Sequence, residues 1–196
     1  MKTKLTLKTV IIIAAAIFLS SCVVDEYINR SWSFDEKTFN DVSSYWAKQD
    51  LKDYSFRYSI STYMPDGIIG DVTVDNGIGC SEISFNGESI TKDDYNIYAD
   101  EVRHYEENYF KTDKIWFKTI DDAFLLIAER VALYRTHYNK DGSDIISYEM
   151  KVEYNETYHY PKYISEHVSS KNDEHTDRNG DWDGGLCVRI TDFRTK

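Results

Sequence analysis

The segment "ISYEMKVEY", residues 146–154, decides the fold class because its apolar and polar side chains alternate without a break. One parity holds only apolar and aromatic side chains, and the other holds only serine, glutamate and lysine. Successive side chains of a β-strand point to opposite faces, so the pattern predicts a strand with one buried face and one solvent-facing face. The parity predicted to be buried is Ile146, Tyr148, Met150, Val152 and Tyr154.

Alternating or continuous apolar segments bounded by turn residues predict five further strands. Asp75-Asn76-Gly77 separates two of them and is typical of a tight hairpin, because Asn and Gly tolerate positive φ. In the strand after this hairpin the apolar side chains change parity, which predicts a β-bulge near Ser81. The six predicted strands cover residues 54–60, 68–74, 78–85, 146–154, 163–168 and 186–191.

Two helices are predicted between these strands. Ser33 and Glu36 have the spacing of a capping box at the start of the first helix, which ends near Asp50. The second helix follows Thr119 as N-cap, with acidic residues in its first turn. Apolar side chains recur every three or four residues in both, at Phe39, Val42 and Trp46 in the first and at Ile120, Phe124, Ile127, Val131 and Tyr134 in the second.

The order of these elements is α-β-β-β-α-β-β-β. This order predicts a single α+β domain in which two helices pack on one face of an antiparallel sheet of about six strands. The other face of the sheet is then left open.

The N-terminal segment has the charge and hydropathy pattern of a signal peptide, which is typical of an exported protein. Lys2, Lys4 and Lys8 precede an apolar run at residues 10–19, which is too short for a bilayer that needs about 20 apolar residues. The residues that follow, Leu19-Ser20-Ser21-Cys22, resemble the bacterial lipobox. The alternatives are an ordinary secretory leader with an incidental cysteine, or a retained anchor helix.

The lipobox resemblance implies a location and a modification. Cys22 would carry diacylglycerol on its sulfur, the chain would be cut before it, and acyl chains such as palmitate would hold the protein at the membrane. The expected organisation is a signal peptide at 1–21, a lipidated tether at 22–32 and a globular domain at 33–196. Val23 lacks the aspartate that signals inner-membrane retention in enteric bacteria. The outer membrane, at its periplasmic leaflet or at the cell surface, is therefore expected.

Charge limits the partners of the mature chain. The leader removes three of the 23 lysines and arginines and none of the 34 acidic residues, which moves the net charge from -11 to -14. An acidic chain repels phosphate backbones, so nucleic acid is not an expected partner. The expected partners are the membrane, through the lipid, and a protein, peptide or small-molecule ligand. No cofactor is predicted.

Several short motifs together resemble one family. "YSFRYS" (54–59), "VDNG" (74–77), "TIDDAF" (119–124) and "VEYNETYHYPKYI" (152–164) follow a tryptophan-bearing helix in the order found in a family of exported bacterial proteins catalogued as domain of unknown function 6174. The similarity covers roughly residues 39–193, and His159 stands where that family has a glycine. The resemblance implies a small exported α+β domain, loosely similar to protease- or lactamase-inhibitor modules, and implies no activity.

The candidate site residues fall into three groups. Aromatic side chains crowd the charged segment 88–118 and could form a ligand-contacting surface or pack on their own core. Cys80 and Cys187 could form a disulfide in an oxidising compartment, or stay as two independent thiols. Asn179, Asp181, Asp183 and Gly184 resemble the start of a calcium loop within residues 177–184, but Ile190 stands where the bidentate glutamate is needed, so no metal site is predicted. The aromatic candidates are Tyr95, Tyr98, Tyr105, Tyr109 and Trp116.

No catalytic motif is found in the sequence. None of the five histidines lies four residues from another on a helix with a glutamate, and neither a Gly-x-Ser-x-Gly nor a P-loop sequence occurs. Two hypotheses therefore stand. The favoured one is a lipid-anchored, non-catalytic binding module of the cell envelope, and the alternative is a small hydrolase that uses histidine and acidic residues. The five histidines are His104, His137, His159, His167 and His175.

Overall fold

The computed structural model describes residues 30–61, 68–85, 87–91, 117–140, 143, 145–170 and 186–196. Within these ranges the strands are β1 (Ser31–Ser33), β2 (Tyr54–Ser61), β3 (Ile68–Asp75), β4 (Ile78–Phe85), β5 (Glu88–Ser89), β6 (Ile145–Tyr154), β7 (Pro161–Ser170) and β8 (Cys187–Thr195). The helices are α1 (Glu36–Gln49) and α2 (Ile120–Tyr138). All eight strands form one sheet in the order β1-β6-β7-β8-β2-β3-β4-β5.

The predicted α+β class is confirmed, including the order of the two helices and the six long strands. The described sheet has two further strands, both short and both at an edge. β1 lies parallel to β6, whereas every other described pair of neighbours is antiparallel. Three-residue and two-residue strands carry too little pattern to be recognised in the sequence.

Both helices pack on one face of the sheet around a shared core. The rings of Phe39 on α1 and Phe124 on α2 lie 6.1 Å apart. The indole N–H of Trp46 donates to the carboxylate of Asp121 at 2.9 Å, which joins α1 to the first turn of α2. The inward side chains of β2 and β3 are all buried against this layer.

The start of α2 follows the prediction. Thr119 is the N-cap, and its backbone N–H donates to the side chain of Asp122 at 2.9 Å, which forms a capping box. The hydroxyl of Tyr54 accepts a hydrogen bond from the backbone N–H of Ile120 at 3.2 Å. The first free amide of the helix is therefore satisfied by β2, and this fixes the helix on the sheet.

The start of α1 differs from the prediction. Asp35, not Ser33, is the N-cap, and its carboxylate accepts from the backbone N–H of Thr38 at 2.9 Å. The Thr38 hydroxyl also donates to this carboxylate, at 2.7 Å, and the two hydrogen bonds hold the pKa of Asp35 below its ordinary value. Ser33 cannot cap the helix because it pairs with Glu149 in the β1–β6 ladder.

The folded domain also begins earlier than the predicted tether allows. Trp32 stacks on Tyr148 with ring centroids 4.4 Å apart. The guanidinium of Arg30 donates to the backbone carbonyls of Tyr138 and Ser143, each at 2.9 Å. Residues 30–32 therefore pack with the domain, because Trp32 has a partner on β6 and Arg30 has one at the end of α2.

Two details of strand phase were also predicted wrongly. β4 pairs with β3 in unbroken register from Ile78 to Phe85, so there is no bulge near Ser81. The change of parity arises because Ile78 is exposed, at 75% of its surface. In β6 the buried residue is Ile145 rather than Ile146, because the register with β7 shifts at the start of the strand.

The turn between β6 and β7 is built without the glycine of the resembled family. Asn155 accepts from the backbone N–H groups of Thr157 and Tyr158 at 3.0 and 2.8 Å, as an Asx turn does. His159 takes a left-handed conformation at φ 57°. Its ring packs against Tyr45 at 4.4 Å.

Candidate functional site

Most of the predicted site residues cannot be placed. Cys22 and the loop at 177–184 lie outside the described residues. The same is true of Tyr95, Tyr98, Tyr105, Tyr109 and Trp116. The lipidation site and the aromatic ligand surface therefore stay predictions.

The two remaining cysteines do not form a disulfide. Cys80 and Cys187 are both free, on β4 and β8, with β3 and β2 between them. Neighbouring strands lie about 4.8 Å apart, so three strand spacings separate the two Cα atoms by more than about 14 Å, against at most about 7 Å across a disulfide. The chain therefore keeps two independent thiols.

Three of the five histidines lie in the described ranges, and each is on a different element. His137 is in the last turn of α2, His159 is in the β6–β7 turn, and His167 is on β7. The His167 ring lies 3.4 Å from the hydroxyl of Ser169. In the part of the chain that the structure describes, no group of three or more histidine, cysteine or acidic side chains could hold a metal ion.

A buried polar cluster joins α2 to the sheet, and the sequence analysis missed it. Arg130 of α2 donates through Nε to both carboxylate oxygens of Glu166 on β7, at 3.1 and 2.9 Å. The hydroxyl of Tyr148 donates to the same carboxylate at 3.1 Å. Burial lowers the pKa of Arg130, but the adjacent Glu166 carboxylate more than compensates, so its pKa lies above the ordinary value.

This cluster is closed to solvent. The side chains of Arg130 and Glu166 are exposed at only 1% and 0% of their surface. A signal for it exists in the sequence, since Glu166 occupies the apolar parity between Ile164 and Val168. The cluster has a structural role and joins α2 to β7, because no ligand could reach the two charges without opening the core.

The accessible polar chemistry lies on the opposite side of the sheet, which we call the helix-free face. Along β2 and β3 the side chains on this face alternate strictly with buried ones. They are mostly small hydroxyls and arginines rather than apolar groups. The helix-free face of the central strands consists of Ser55, Arg57, Ser59, Ser61, Ile69, Asp71, Thr73, Tyr163, Ser165, Cys187, Arg189, Thr191 and Arg194.

Strand register arranges these side chains in rows across the face. In one row Arg189 of β8 lies between Ser59 of β2 and Tyr163 of β7. The Arg189 guanidinium sits 5.2 Å from the centre of the Tyr163 ring. A hydrogen bond with the Cys187 thiol, together with burial, raises the pKa of Tyr163. The half-buried thiol of Cys187 is thus hydrogen-bonded to the Tyr163 phenol.

The next row holds an ion pair. Arg57 of β2 donates to Asp71 of β3 through Nε at 2.8 Å and through a terminal nitrogen at 2.9 Å. This two-point contact raises the pKa of Arg57. Both side chains stay about half exposed, so the pair is presented to solvent.

A depression with a cavity volume of about 380 Å³ opens beside this pair. We call it the β2–β3–β8 depression. The small side chains of Ser55 and Thr73 lie between larger charged ones, which leaves the space. It is lined by Ser55, Arg57, Asp71, Thr73, Asp192 and Arg194, together with Phe56 and Val72.

Comparisons with known proteins gave no assignment: no family model, no curated protein and no solved structure matches this chain. The resemblance to the family of domain of unknown function 6174 stays a prediction. The candidate site therefore depends on the geometry of the helix-free face alone.

Proposed function

We propose that this protein is a lipid-anchored module of the bacterial cell envelope that binds a ligand or partner on the helix-free face of its sheet. The single observation that supports the binding role is that face itself. It presents hydroxyls, arginines and the β2–β3–β8 depression on the opposite side from both described helices.

The hydroxyl and guanidinium groups of the helix-free face are suited to binding a polar ligand rather than to packing in a hydrophobic core. Serine and threonine hydroxyls both donate and accept hydrogen bonds, and a guanidinium can bind a carboxylate or phosphate at two points. Rigid strands hold these groups at fixed spacings. A binding site on such strands needs less ordering on association than a site on loops.

The anchor is supported by the sequence at residues 19–22 and by the short apolar run before it. Among the described residues, no helix has the length and hydropathy to cross a bilayer. The tether between Cys22 and β1 spans fewer than ten residues, so its reach is at most roughly 30 Å. The binding face would therefore act close to the membrane surface.

The anchor is tested by Cys22→Ser in the producing cells. The wild-type protein is expected to incorporate labelled palmitate and to stay with membranes after carbonate and high-salt washing. The variant is expected to lose both properties. Membrane retention of the variant would contradict the lipid anchor.

The binding role is tested by site-specific photocrosslinking in the same cells. A photoreactive amino acid at Glu82 or Thr191 samples the helix-free face, since both positions are exposed on it. The matched controls are Asp41 on α1 and Thr136 on α2, which are exposed on the helices. We expect a shared adduct, identified by mass spectrometry, from both sheet positions and from neither helix position. Equal adducts from the two sides, or none from the sheet, would refute a protein or peptide partner on this face.

A further inference from the structure

We infer that the β2–β3–β8 depression binds a small zwitterion, an α-amino acid or a dipeptide with free amino and carboxyl groups. The inference rests on the proposed function and names the ligand class of that same face.

Two opposite charges at the depression form no ion pair with the other residues that the structure describes. Arg57 is already bound at two points by Asp71. By contrast, Arg194 and Asp192 form no ion pair with any residue in the described ranges. Both are exposed and lie two residues apart on β8. The Asp192 charge also helps to raise the pKa of Arg57, but Asp192 makes no direct ion pair within the described residues. Among those residues, the depression therefore offers one cation and one anion in addition to the Arg57–Asp71 pair.

A β-bulge places Asp192 at the depression. The register between β2 and β8 shifts between Ser55 and Arg57, so that Asp192 and Phe193 together lie opposite a single residue of β2. Asp192 takes a left-handed backbone conformation at φ 52°. Because of the extra residue, the Phe193 ring packs in the aromatic core, 4.6 Å from the ring of Tyr160. Asp192 then lies at the depression. Bulges commonly redirect a side chain in this way next to functional sites.

The charge pattern selects the ligand. The Arg194 guanidinium can hold a carboxylate at two points, and the Asp192 carboxylate can hold an ammonium group. A simple anion would face repulsion from Asp192, and a simple cation would face repulsion from Arg194. A molecule that carries both charges, a few ångströms apart, satisfies both side chains at once.

The volume of the depression and the hydroxyl groups that line it are consistent with a ligand of this class. Small-molecule sites generally measure about 300–1,000 Å³, so a depression of about 380 Å³ suits a molecule at the lower end. Ser55 and Thr73 provide hydroxyls that can bond a peptide carbonyl or amide. A dipeptide fills these positions better than a larger chain.

The test is titration of the purified, non-lipidated mature protein with the dipeptide Ala-Ala, followed by calorimetry or by NMR chemical shifts. N-acetyl-Ala-Ala and Ala-Ala-amide each remove one ligand charge. Arg194→Gln and Asp192→Asn remove the matching protein charge. Asparagine tolerates positive φ, so the second variant keeps the bulge. Lys37→Gln is the control, an exposed cation on α1 that lies outside both the depression and the helix-free face.

We expect saturable binding of Ala-Ala that weakens at least about tenfold in either variant, because a charge-assisted contact is lost. The blocked dipeptides are expected to show the same loss with the wild-type protein, whereas Lys37→Gln binds as the wild type does. Absence of saturable binding, or binding that ignores these charges, would overturn the inference.

The two proposals fail separately. If Ala-Ala does not bind while the adducts at Glu82 and Thr191 persist, the ligand class is wrong and the binding face stands. If Ala-Ala binds as expected while those adducts are absent, the depression is a ligand site, but the envelope partner is refuted.

Discussion

The guanidinium of Arg130 and the carboxylate of Glu166 form a buried ion pair between α2 and β7, with Nε of the arginine 3.1 and 2.9 Å from the two carboxylate oxygens. Tyr134 and Tyr148 supply hydroxyl contacts around it. The pair fixes how the long helix sits on the sheet, because any shift of the helix would separate two charges that water cannot reach.

Breaking this pair should be costly. Glu166→Gln leaves the Arg130 charge buried without its counterion, so we expect the free energy of unfolding to fall by about 3–5 kcal/mol. Urea denaturation measures the loss. The double variant Arg130→Met/Glu166→Leu should recover most of it, since a packed apolar pair avoids the desolvation cost.

A surface pair serves as control for that experiment. Lys37 and Asp41 are joined at 2.7 Å with both side chains exposed, so Lys37→Met should change stability by less than about 1 kcal/mol. A Glu166→Gln variant as stable as this control would show that the buried pair does not hold α2 in place.

Alkaline pH should unfold the protein through its buried tyrosines. Burial raises the pKa of Tyr54, and burial together with the nearby Glu166 carboxylate raises that of Tyr148. The unfolded chain releases these protons near pH 10, whereas the native state keeps them. The unfolded state then binds fewer protons, so the free energy of unfolding must fall as pH rises above about 10.

Absorbance at 295 nm during a pH titration measures this behaviour. A class of tyrosines should ionise only together with the loss of native circular dichroism, and Tyr148→Phe should reduce the amplitude of that late class. The same protein in denaturant should show a single transition. Full ionisation of every tyrosine while the fold persists would contradict the prediction.

Gly70→Ala should destabilise the sheet. A Cβ at this position would lie 2.1 Å from the ring of Tyr58, which is fully buried and cannot move aside. The Tyr58 hydroxyl also accepts from the backbone N–H of Phe117, so displacement of the ring disturbs the entry to α2. We expect a loss of about 1–3 kcal/mol.

Thermal unfolding compares this variant with Thr73→Ala, on the same strand but on the helix-free face. The control removes only an exposed side chain and should cost less than about 1 kcal/mol. Equal effects of the two changes would mean that the contact between Gly70 and Tyr58 is not tight.

The two thiols should react at different rates. Cys80 is exposed, whereas Cys187 is half-buried and bonded to the Tyr163 hydroxyl. Timed maleimide labelling of a Cys22→Ser protein should show one fast and one slow site, and Cys80→Ser should remove the fast one. Failure of both thiols to react until a reductant is added would indicate a disulfide and would contradict the structure.

The sequence also held a sign of the bulge that forms the β2–β3–β8 depression. The apolar parity of β8 runs through Val188 and Ile190 and then moves to Phe193, one residue out of phase. The same kind of change occurs in β4 without an inserted residue, so it does not by itself identify a bulge. It does not show which strand lies opposite, so the depression could not be predicted from it.

What the sequence determined by itself is local. Alternation identified the long strands and the buried sides of β2 and β3. The period of three to four identified α2, and Asn76-Gly77, with φ of 50° and 75°, identified the hairpin. These signals are local because they depend only on which side chains share one face of one element. Tertiary structure decided the strand order, the parallel docking of β1, the pairing of Arg130 with Glu166 and the charges gathered at the depression. Each of these joins residues far apart in the chain, and the partner is chosen by packing of the whole core, which no single segment encodes.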